Sequence, residues 1–494
     1  KRVSNLYRMD ATGAHVRQLA FDQDHDLHPS VLPTGQVIYS RWDYTGPSHI
    51  YIRPLMTMNP DGTAQRALYG GSSWYPNALY FPRALLGQAD HFLAILSGYH
   101  GVHRMGQLVL IDASKGWHEA DGLVLRISGR GDPIRPLVKD QLVDDDWPKF
   151  LHPYPLDDRH FLVSCWMSRT SSWAIYLADV FDNLVLVREE PGWALLEPIP
   201  LRPTPRPPVL PDRTDPSQPE ATVYLQDVYA GDGLRGVPRG TVQRLRVLSY
   251  DFGYRGLAGP DLIGYGGPWD AMRIVGTVPL EADGSAHFRV PANTPLAVQA
   301  LDREGKAVQL MRSWFTAMPG ERVACAGCHD TPTGTPGLAL AAASLRPARP
   351  IEPWYGPARG FDFAREVQPV LDRACVSCHD GRPATGPDLR GQDEDPGLHA
   401  LPIGYPNRLH PDVFRDTGGK LAYTPAYRAL VHFLRRPGIE DEADILTPAE
   451  YHADTSPLVQ ILRSGHHGVA LDAESWDRLV TWIDANGPYH DGFI

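Results

Sequence analysis

Two segments of this 494-residue chain place thiols and imidazoles at a spacing that does chemistry: Cys325-Ala326-Gly327-Cys328-His329 and Cys375-Val376-Ser377-Cys378-His379. Two thiols three positions apart each form a thioether with a vinyl group of one haem, and the adjacent histidine offers its imidazole to the iron. Four of the five cysteines are spent this way, which makes chance a poor explanation. Cys-x2-Cys pairs also build structural zinc sites. The chain does not supply the remaining zinc ligands twice over at comparable spacing. Two covalently bound haem c groups are therefore expected, with His329 and His379 as the iron ligands fixed beneath the rings.

The opposite face of each ring is the next question. No methionine follows Met318, so a His/Met pair is excluded for the C-terminal haem. The histidines after the second motif are His399, His410, His432, His452, His466, His467 and His490. His466 and His467 are the best placed, just before a terminal helix, where small cytochromes c carry the loop with their axial methionine. His467 is set marginally ahead of His466, and His452 follows. Bis-histidine ligation saturates the metal, lowers its potential relative to His/Met and favours electron transfer. For the first haem, Met311 and Met318 lie upstream, but core packing is the blander reading of both. His287 alternates with strand residues. His152 and Tyr154 are read in a loop before the strand Phe161–Ser164, with a functional and a structural role for His152 evenly balanced. Cys165 is read first as a buried apolar thiol and second as a ligand, to zinc or near the first haem. The run from Asp22 and Asp24 through His25-Asp26-Leu27-His28 invites a metal reading, with hydrogen bonding inside a blade turn preferred.

These residues need scaffolds, and the chain is long enough for two to four domains. Hydrophobic residues make up 43%, ample for globular cores, while 46 Gly and 47 Pro call for many turns rather than long helices. A formal charge of -11 without a Lys/Arg tract argues against a nucleic-acid partner. No apolar run is long enough for a transmembrane helix. The chain opens at Lys1 without a signal peptide, as a processed or truncated product would. Cytochrome c maturation takes place outside the bacterial cytoplasm, so a periplasmic or extracellular location is expected.

Residues 1–220 read as short strands between turns, among them Gln36–Ser40, Ile50–Ile52, Leu108–Asp112 and Trp173–Asp179. Their separation is that of propeller blades with loop insertions. A β-propeller is preferred to a sandwich, and its first blades are expected upstream of Lys1. A Pro-rich stretch near 200–220 marks a boundary. Residues 221–345 form a β-rich middle domain that ends on the first haem motif. A second crossing, Arg346-Pro347-Ala348-Arg349-Pro350, leads into an α-helical cytochrome c domain over 351–494. There Phe361–Leu371 reads as an amphipathic helix running into Cys375. Ala473–Ile483 reads as another, with Leu479, Trp482 and Ile483 on one stripe.

With these segments in order, the chain resembles the hydrazine synthase α subunit and its wider relatives. The resemblance is carried by Asn5–Asp10, Phe21–Asp26, Ser40–Thr45, His152–Leu156, Phe288–Ala292, Gln299–Asp302, Met311–Trp314, Pro319–Glu321, the first CxxCH and Gly465–Asp484. It implies a propeller, a β-rich middle domain with a catalytic haem, and a cytochrome domain whose bis-histidine haem passes electrons. In that family the middle CxxCH histidine binds zinc with a nearby cysteine, and a tyrosine four positions downstream ligates iron. Here that downstream position is Thr333, a poor iron ligand, which frees His329 for its own haem. The resemblance implies Cys165 as the counterpart of the zinc cysteine. The leading functional reading is a periplasmic dihaem oxidoreductase acting on a small molecule such as a nitrogen oxide, amine or peroxide. A redox protein partner and a hetero-oligomer accompany that reading. The alternative is a non-enzymatic dihaem electron-transfer or partner-docking protein, and a sensor or scaffold comes third.

Overall fold

The computed structural model describes residues 3–43, 53–71, 73–76, 78–88, 90–98, 104–139, 141–252, 263–268, 270–329, 340–382, 386–391, 423–438 and 444–492. A short hairpin, β1 (Tyr7–Arg8) and β2 (Arg17–Gln18), opens the chain. Three four-stranded antiparallel meanders follow, each in sequence order. The first joins β3 (Asp26–Val31), β4 (Val37–Arg41), β5 (Leu55–Met58) and β6 (Arg66–Tyr69). The second joins β7 (Ala78–Ala84), β8 (His91–Ser97), β9 (Gln107–Asp112) and β10 (Leu123–Arg126). The third joins β11 (Lys149–Pro155), β12 (His160–Trp166), β13 (Trp173–Asp179) and β14 (Leu184–Arg188).

Strand β8 is buried along nearly its whole length, so it needs cover on both faces, and neighbouring sheets supply it. Ile38, Leu55, Leu79, Phe92 and Ile111 form one cluster between the first and second meanders. Tyr80, Leu93, Phe150, Phe161 and Cys165 form another between the second and third. Strand β7 touches both β3 and β11, so the first strand of each sheet lines the inside of the array. The expected strands 36–40, 108–112 and 173–179 are present with small shifts at their ends. The expected strand Ile50–Ile52 lies outside the described residues.

The middle unit holds two sheets. The smaller has the order β18–β15–β22, from β15 (Glu220–Leu225), β18 (Ala286–Pro291) and β22 (Arg322–Cys325). The larger has the order β20–β19–β16–β17–β23, from β16 (Arg244–Asp251), β17 (Ala271–Pro279), β19 (Pro295–Leu301), β20 (Ala307–Leu310) and β23 (Arg359–Gly360), with β21 (Phe315–Thr316) also paired to β19. Among the described residues five short α-helices follow: α1 (Phe363–Glu366), α2 (Gln368–Ala374), α3 (Pro425–Leu430), α4 (Pro457–Arg463) and α5 (Ala473–Asp484).

The second Pro-rich crossing is woven into the middle unit rather than standing free. Arg349 N–H donates to the His287 carbonyl at 2.8 Å and Glu352 N–H to that of Thr277 at 2.9 Å, and β23 extends the larger sheet. The helical segment then shares one core with that sheet: Leu248 and Ile274 lie in the same cluster as Phe363, Val370, Tyr427 and Trp482. Helices this short bury too little apolar surface by themselves, so the sheet face completes their core. The predicted helix over 361–371 is divided in two, because Pro369 cannot continue the hydrogen-bond ladder and starts a new helix at its first turn. The terminal helix forms as expected. Its N-cap Asp472 accepts from Ser475 N–H at 2.7 Å, and Leu479, Trp482 and Ile483 are buried.

The first meander clasps the middle unit through polar contacts. Trp314 Nε1 donates to Asp22 Oδ1 at 2.6 Å, Arg41 pairs with the same oxygen at 2.9 Å, and Ala64 N–H donates to Glu321 Oε1 at 2.7 Å. Here the Asp22–His28 run does structural work. Among the described residues, no three His, Cys, Asp or Glu side chains gather as a metal site. Asp26 is 3% exposed, and its ionised carboxyl finds no hydrogen-bond donor among the described residues. Burial, reinforced by the Asp22 carboxylate, raises its pKa well above the usual carboxylate range against the pull of Arg41. A raised folded pKa costs nothing below the unfolded value, and the penalty grows as pH rises toward the folded value. Asp26→Asn is thus expected to stabilise the protein by about 1–3 kcal/mol at pH 7.5, the scale of an unpaired buried polar group. Urea melts should show that gain shrinking toward pH 4.

Candidate functional site

The second CxxCH segment continues directly from α2. Cys375 N–H donates to the Leu371 carbonyl at 2.8 Å, and Cys378 and His379 N–H both donate to the Cys375 carbonyl, at 3.0 and 2.9 Å. This turn sets the two thiols and the imidazole on one loop. Cys375 is half-buried against the shared core, and burial, then the Cys378 thiol, pushes its pKa up. Cys378 is exposed. His379 Nδ1 lies 3.2 Å from the Pro387 carbonyl. A carbonyl only accepts, so the proton sits on Nδ1 and the Nε2 lone pair is left for a metal, a common way of orienting a ligating histidine.

The chain returns to this imidazole through α4 and a tight turn in which Gly465 and His467 adopt φ of 87° and 47°. The turn lays the His466 ring nearly parallel to that of His379, with centroids 5.9 Å apart and planes 19° from parallel. An imidazole–metal bond is about 2 Å, so two imidazoles on opposite faces of one ion hold their centroids about 6 Å apart. His466 and His379 have that spacing. His467 is exposed and stands edge-on to His466, at 4.7 Å and 76°. Of the two, His466 is the one whose ring lies beside that of His379. A cleft of about 150 Å³ lined by Val370, Ala374, Val469 and Leu471 lies beside α2. His452 uses both ring nitrogens elsewhere: Nε2 meets Asp302 Oδ2 at 3.0 Å and Nδ1 accepts from Asp454 N–H at 3.3 Å. His399 and His410 lie outside the described residues.

The first CxxCH segment continues from β22, which runs parallel to β15. The following turn of the middle unit wraps it closely. Gln226 N–H donates to the Cys325 carbonyl at 2.9 Å and Gly233 N–H to that of Cys328 at 3.0 Å. A Cβ on Gly233 would stand 2.5 Å from Cys328 Sγ, so glycine there leaves the sulfur its room. This wrapping turn escaped the sequence reading; its Gly231-Asp232-Gly233 was the available signal. Cys325 and Cys328 are half-buried against the middle core, whereas His329 is exposed with φ 57°. Thr333 lies outside the described residues.

The other upstream candidates serve packing or local contacts. Met318 is buried, and a Cβ on Gly62 of the first meander would stand 2.8 Å from its Cε. Met311 packs on the shared core, and His287 Nδ1 lies 3.1 Å from the Arg346 carbonyl, to which it donates. His152 and Tyr154 sit inside β11, not in a loop. Cys165 is fully buried in the β12 cluster, and burial pushes its thiol up to about 12, which opposes the thiolate a zinc ligand requires.

A cleft of about 580 Å³ opens between the first meander and the middle unit. Its walls include Arg66, Arg213 and Glu321, and its floor is Arg322-Val323-Ala324, the three residues that lead into Cys325. Both size and interdomain position suit a small-molecule site.

Residues 240–330 match the family model described as hydrazine synthase alpha subunit middle domain. The chain also superposes on a structure entitled Kuenenia stuttgartiensis Hydrazine Synthase with a TM-score of 0.68 and 18% identity, over 96% of this chain and 70% of that one. No curated protein matches the sequence. The middle segment, which contains the first CxxCH, is thus a distant homologue of the hydrazine synthase α-subunit middle domain, within a multidomain chain that shares the hydrazine synthase fold.

Proposed function

We propose that this chain is a periplasmic dihaem c-type oxidoreductase, with small-molecule redox chemistry at the first CxxCH and electron transfer through the second. The observation that carries the reading is the parallel His379–His466 pair at the spacing of a bis-imidazole iron site. Cys375 and Cys378 would anchor that haem, the Pro387 carbonyl orients His379, and apolar α2 side chains such as Val370 would shield the ring from water. Cys325 and Cys328 would anchor the first haem, with His329 as its protein ligand. Bound there, haem supplies an iron that cycles by one electron and binds small ligands.

The chain's own residues then set the division of labour. A site closed by two imidazoles would transfer electrons, and the first site would take a substrate if its distal position is open. The cleft between the first meander and the middle unit, with Arg66, Arg213, Arg322 and Glu321 in its lining, is the candidate entry for a small nitrogen oxide, amine or peroxide. The relation to an enzyme that works in a multisubunit assembly supports a redox partner docking on this chain. The three meanders are read as blades of a larger propeller that carries such a partner face. Among the described residues no helix is long and apolar enough to cross a membrane.

The test is expression in a cell competent for cytochrome c assembly. Denaturing mass spectrometry should show two haems added. Ferric electron paramagnetic resonance should show one low-spin and one high-spin centre, the second binding cyanide or nitric oxide. Two low-spin centres that bind neither ligand would move the chain to the carrier class, and a bare polypeptide would end the haem reading.

A further inference from the structure

A strained backbone recurs at one place in each meander. The first strand carries a non-glycine residue in the left-handed region just before a proline: His28-Pro29 at φ 53°, Phe81-Pro82 at φ 53° and His152-Pro153 at φ 52°. At each one the ladder to the second strand slips, between Leu27 and Ser30, Tyr80 and Arg83, and Leu151 and Tyr154. Such a residue costs about 1–3 kcal/mol and persists where the surroundings impose it, often at a ligand site. A bulge re-aims its side chain. Here the three side chains are aimed at one another. The His28 and Phe81 rings are 3.7 Å apart and the Phe81 and His152 rings 4.6 Å, which places an imidazole on either side of an apolar ring.

The polar groups around this stack are strongly biased in sign. Nδ1 of His28 and Nδ1 of His152 are buried without a hydrogen-bond partner among the described residues. Arg83 donates to the Ser30 hydroxyl at 3.0 Å, and the Arg104 guanidinium lies 5.9 Å over the Tyr80 ring. The carboxylate that faces the group is Glu197, 3.8 Å from His152 Nε2 and 72% exposed; the Tyr154 phenol lies on the same strand as His152. Two guanidiniums and two under-used imidazoles thus gather about the first strands, with Glu197 the solvated carboxylate against them among the described residues.

We propose that this face binds a small oxyanion or carboxylate, held by Arg83 and Arg104 and by hydrogen bonds from His28 and His152. Guanidiniums recognise such groups through paired, charge-assisted hydrogen bonds. The two orphan nitrogens gain the partner that burial makes costly to lack. A metal is the weaker occupant, because no third ligand joins the two imidazoles among the described residues. Burial first, and then Arg104, holds His28 down to about 3, so it stays neutral and donates from Nδ1. Burial also lowers His152, opposed by Glu197 and assisted by Arg83. A bound anion cancels the Arg83 field, raises that pKa and draws a proton onto His152. Binding therefore tightens as pH falls.

Isothermal titration calorimetry on the full haem-loaded chain tests this with sulfate, nitrate and acetate, weak ligands of haem iron that hold constant charge between pH 6 and 8. Two buffers of different ionisation enthalpy report the proton count. Saturable binding of at least one anion is expected, with proton uptake and with tighter binding at pH 6 than at pH 8. Arg83→Gln with Arg104→Gln, both at exposed positions, should weaken it about tenfold or more, as expected for charge-assisted contacts. His152→Gln should remove the proton uptake while the melting temperature holds. The proposal is overturned if none of the three anions binds saturably. It is equally overturned if the arginine variant keeps wild-type affinity or the His152 variant keeps the proton uptake. None of these outcomes bears on the haem reading, which uses different residues.

Discussion

Replacing His466 by alanine is expected to change the second haem from six-coordinate low-spin to five-coordinate high-spin, and from refusing carbon monoxide to binding it stoichiometrically. The neighbouring His467→Ala variant should leave the low-spin spectrum in place. The two residues are adjacent in sequence, and only their backbone geometry separates them. Gly465 in the left-handed region turns the chain so that the His466 ring lies parallel to the His379 ring at 5.9 Å, while His467, itself left-handed, stands edge-on and exposed. Loss of one imidazole removes half of the axial field while the two thioethers still hold the ring. The haem therefore stays attached, and optical absorption of the ferric and reduced-carbonyl forms reads the change. The reverse pattern, with His467→Ala producing the high-spin form, would reassign the ligand and undo the geometric argument. Unchanged spectra in both variants would remove the pair from the iron altogether.

That pair also marks how far the sequence could be read. The CxxCH spacing is local, so both segments were legible, as was the His466-His467 pair in the turn before the terminal helix. Which of those two rings lies beside His379 was not, because it rests on two φ angles that no residue pattern announces. Strands β4, β9 and β13 were legible as short β-rich runs bounded by turns, the first two buried almost continuously, and helix α5 by its apolar stripe. The core that the helical segment shares with the middle sheet was not legible. Leu248 and Ile274 contribute to the helical core from a sheet more than 80 residues upstream of α1, and a long-range shared core leaves no composition break. His152 was read in a loop because Pro153 and Pro155 look like breakers. A bulged first strand tolerates them, and the same His/Phe-Pro pattern at 28 and 81 was the overlooked signal.

The largest stability effect is expected where the terminal helix meets the middle sheet. Arg246 of β16 is 1% exposed and Asp484, the last residue of α5, is fully buried. Nη1 pairs with Asp484 Oδ2 at 2.8 Å and donates to Gln299 Oε1 at 2.7 Å, while Nη2 donates to the Gly305 carbonyl and to Thr481 Oγ1, both at 2.9 Å. Ala307 N–H completes the carboxylate's partners at 3.0 Å. Arg246→Leu fills the space but strands Asp484 in the core, a loss of about 3–5 kcal/mol for a broken buried pair. The double variant Arg246→Leu with Asp484→Leu strands no charge, and most of the stability should return. The pH dependence separates the two. Burial already raises the Asp484 pKa, and without Arg246 it rises further. The single variant should therefore be nearly wild-type in acid, where the carboxyl is protonated in both states. Its deficit against wild type should grow as pH rises past the already raised folded pKa of the wild-type carboxyl, since below that value both folded forms hold it protonated. The double variant should show no such slope relative to wild type. Because α5 follows directly from the His466 turn, melting it should release that histidine first. Heating the single variant at pH 8 while recording the haem spectrum should show the second haem turning high-spin below the temperature at which the sheets unfold. Simultaneous loss of both signals would mean that this contact does not hold the His466 turn against the sheet.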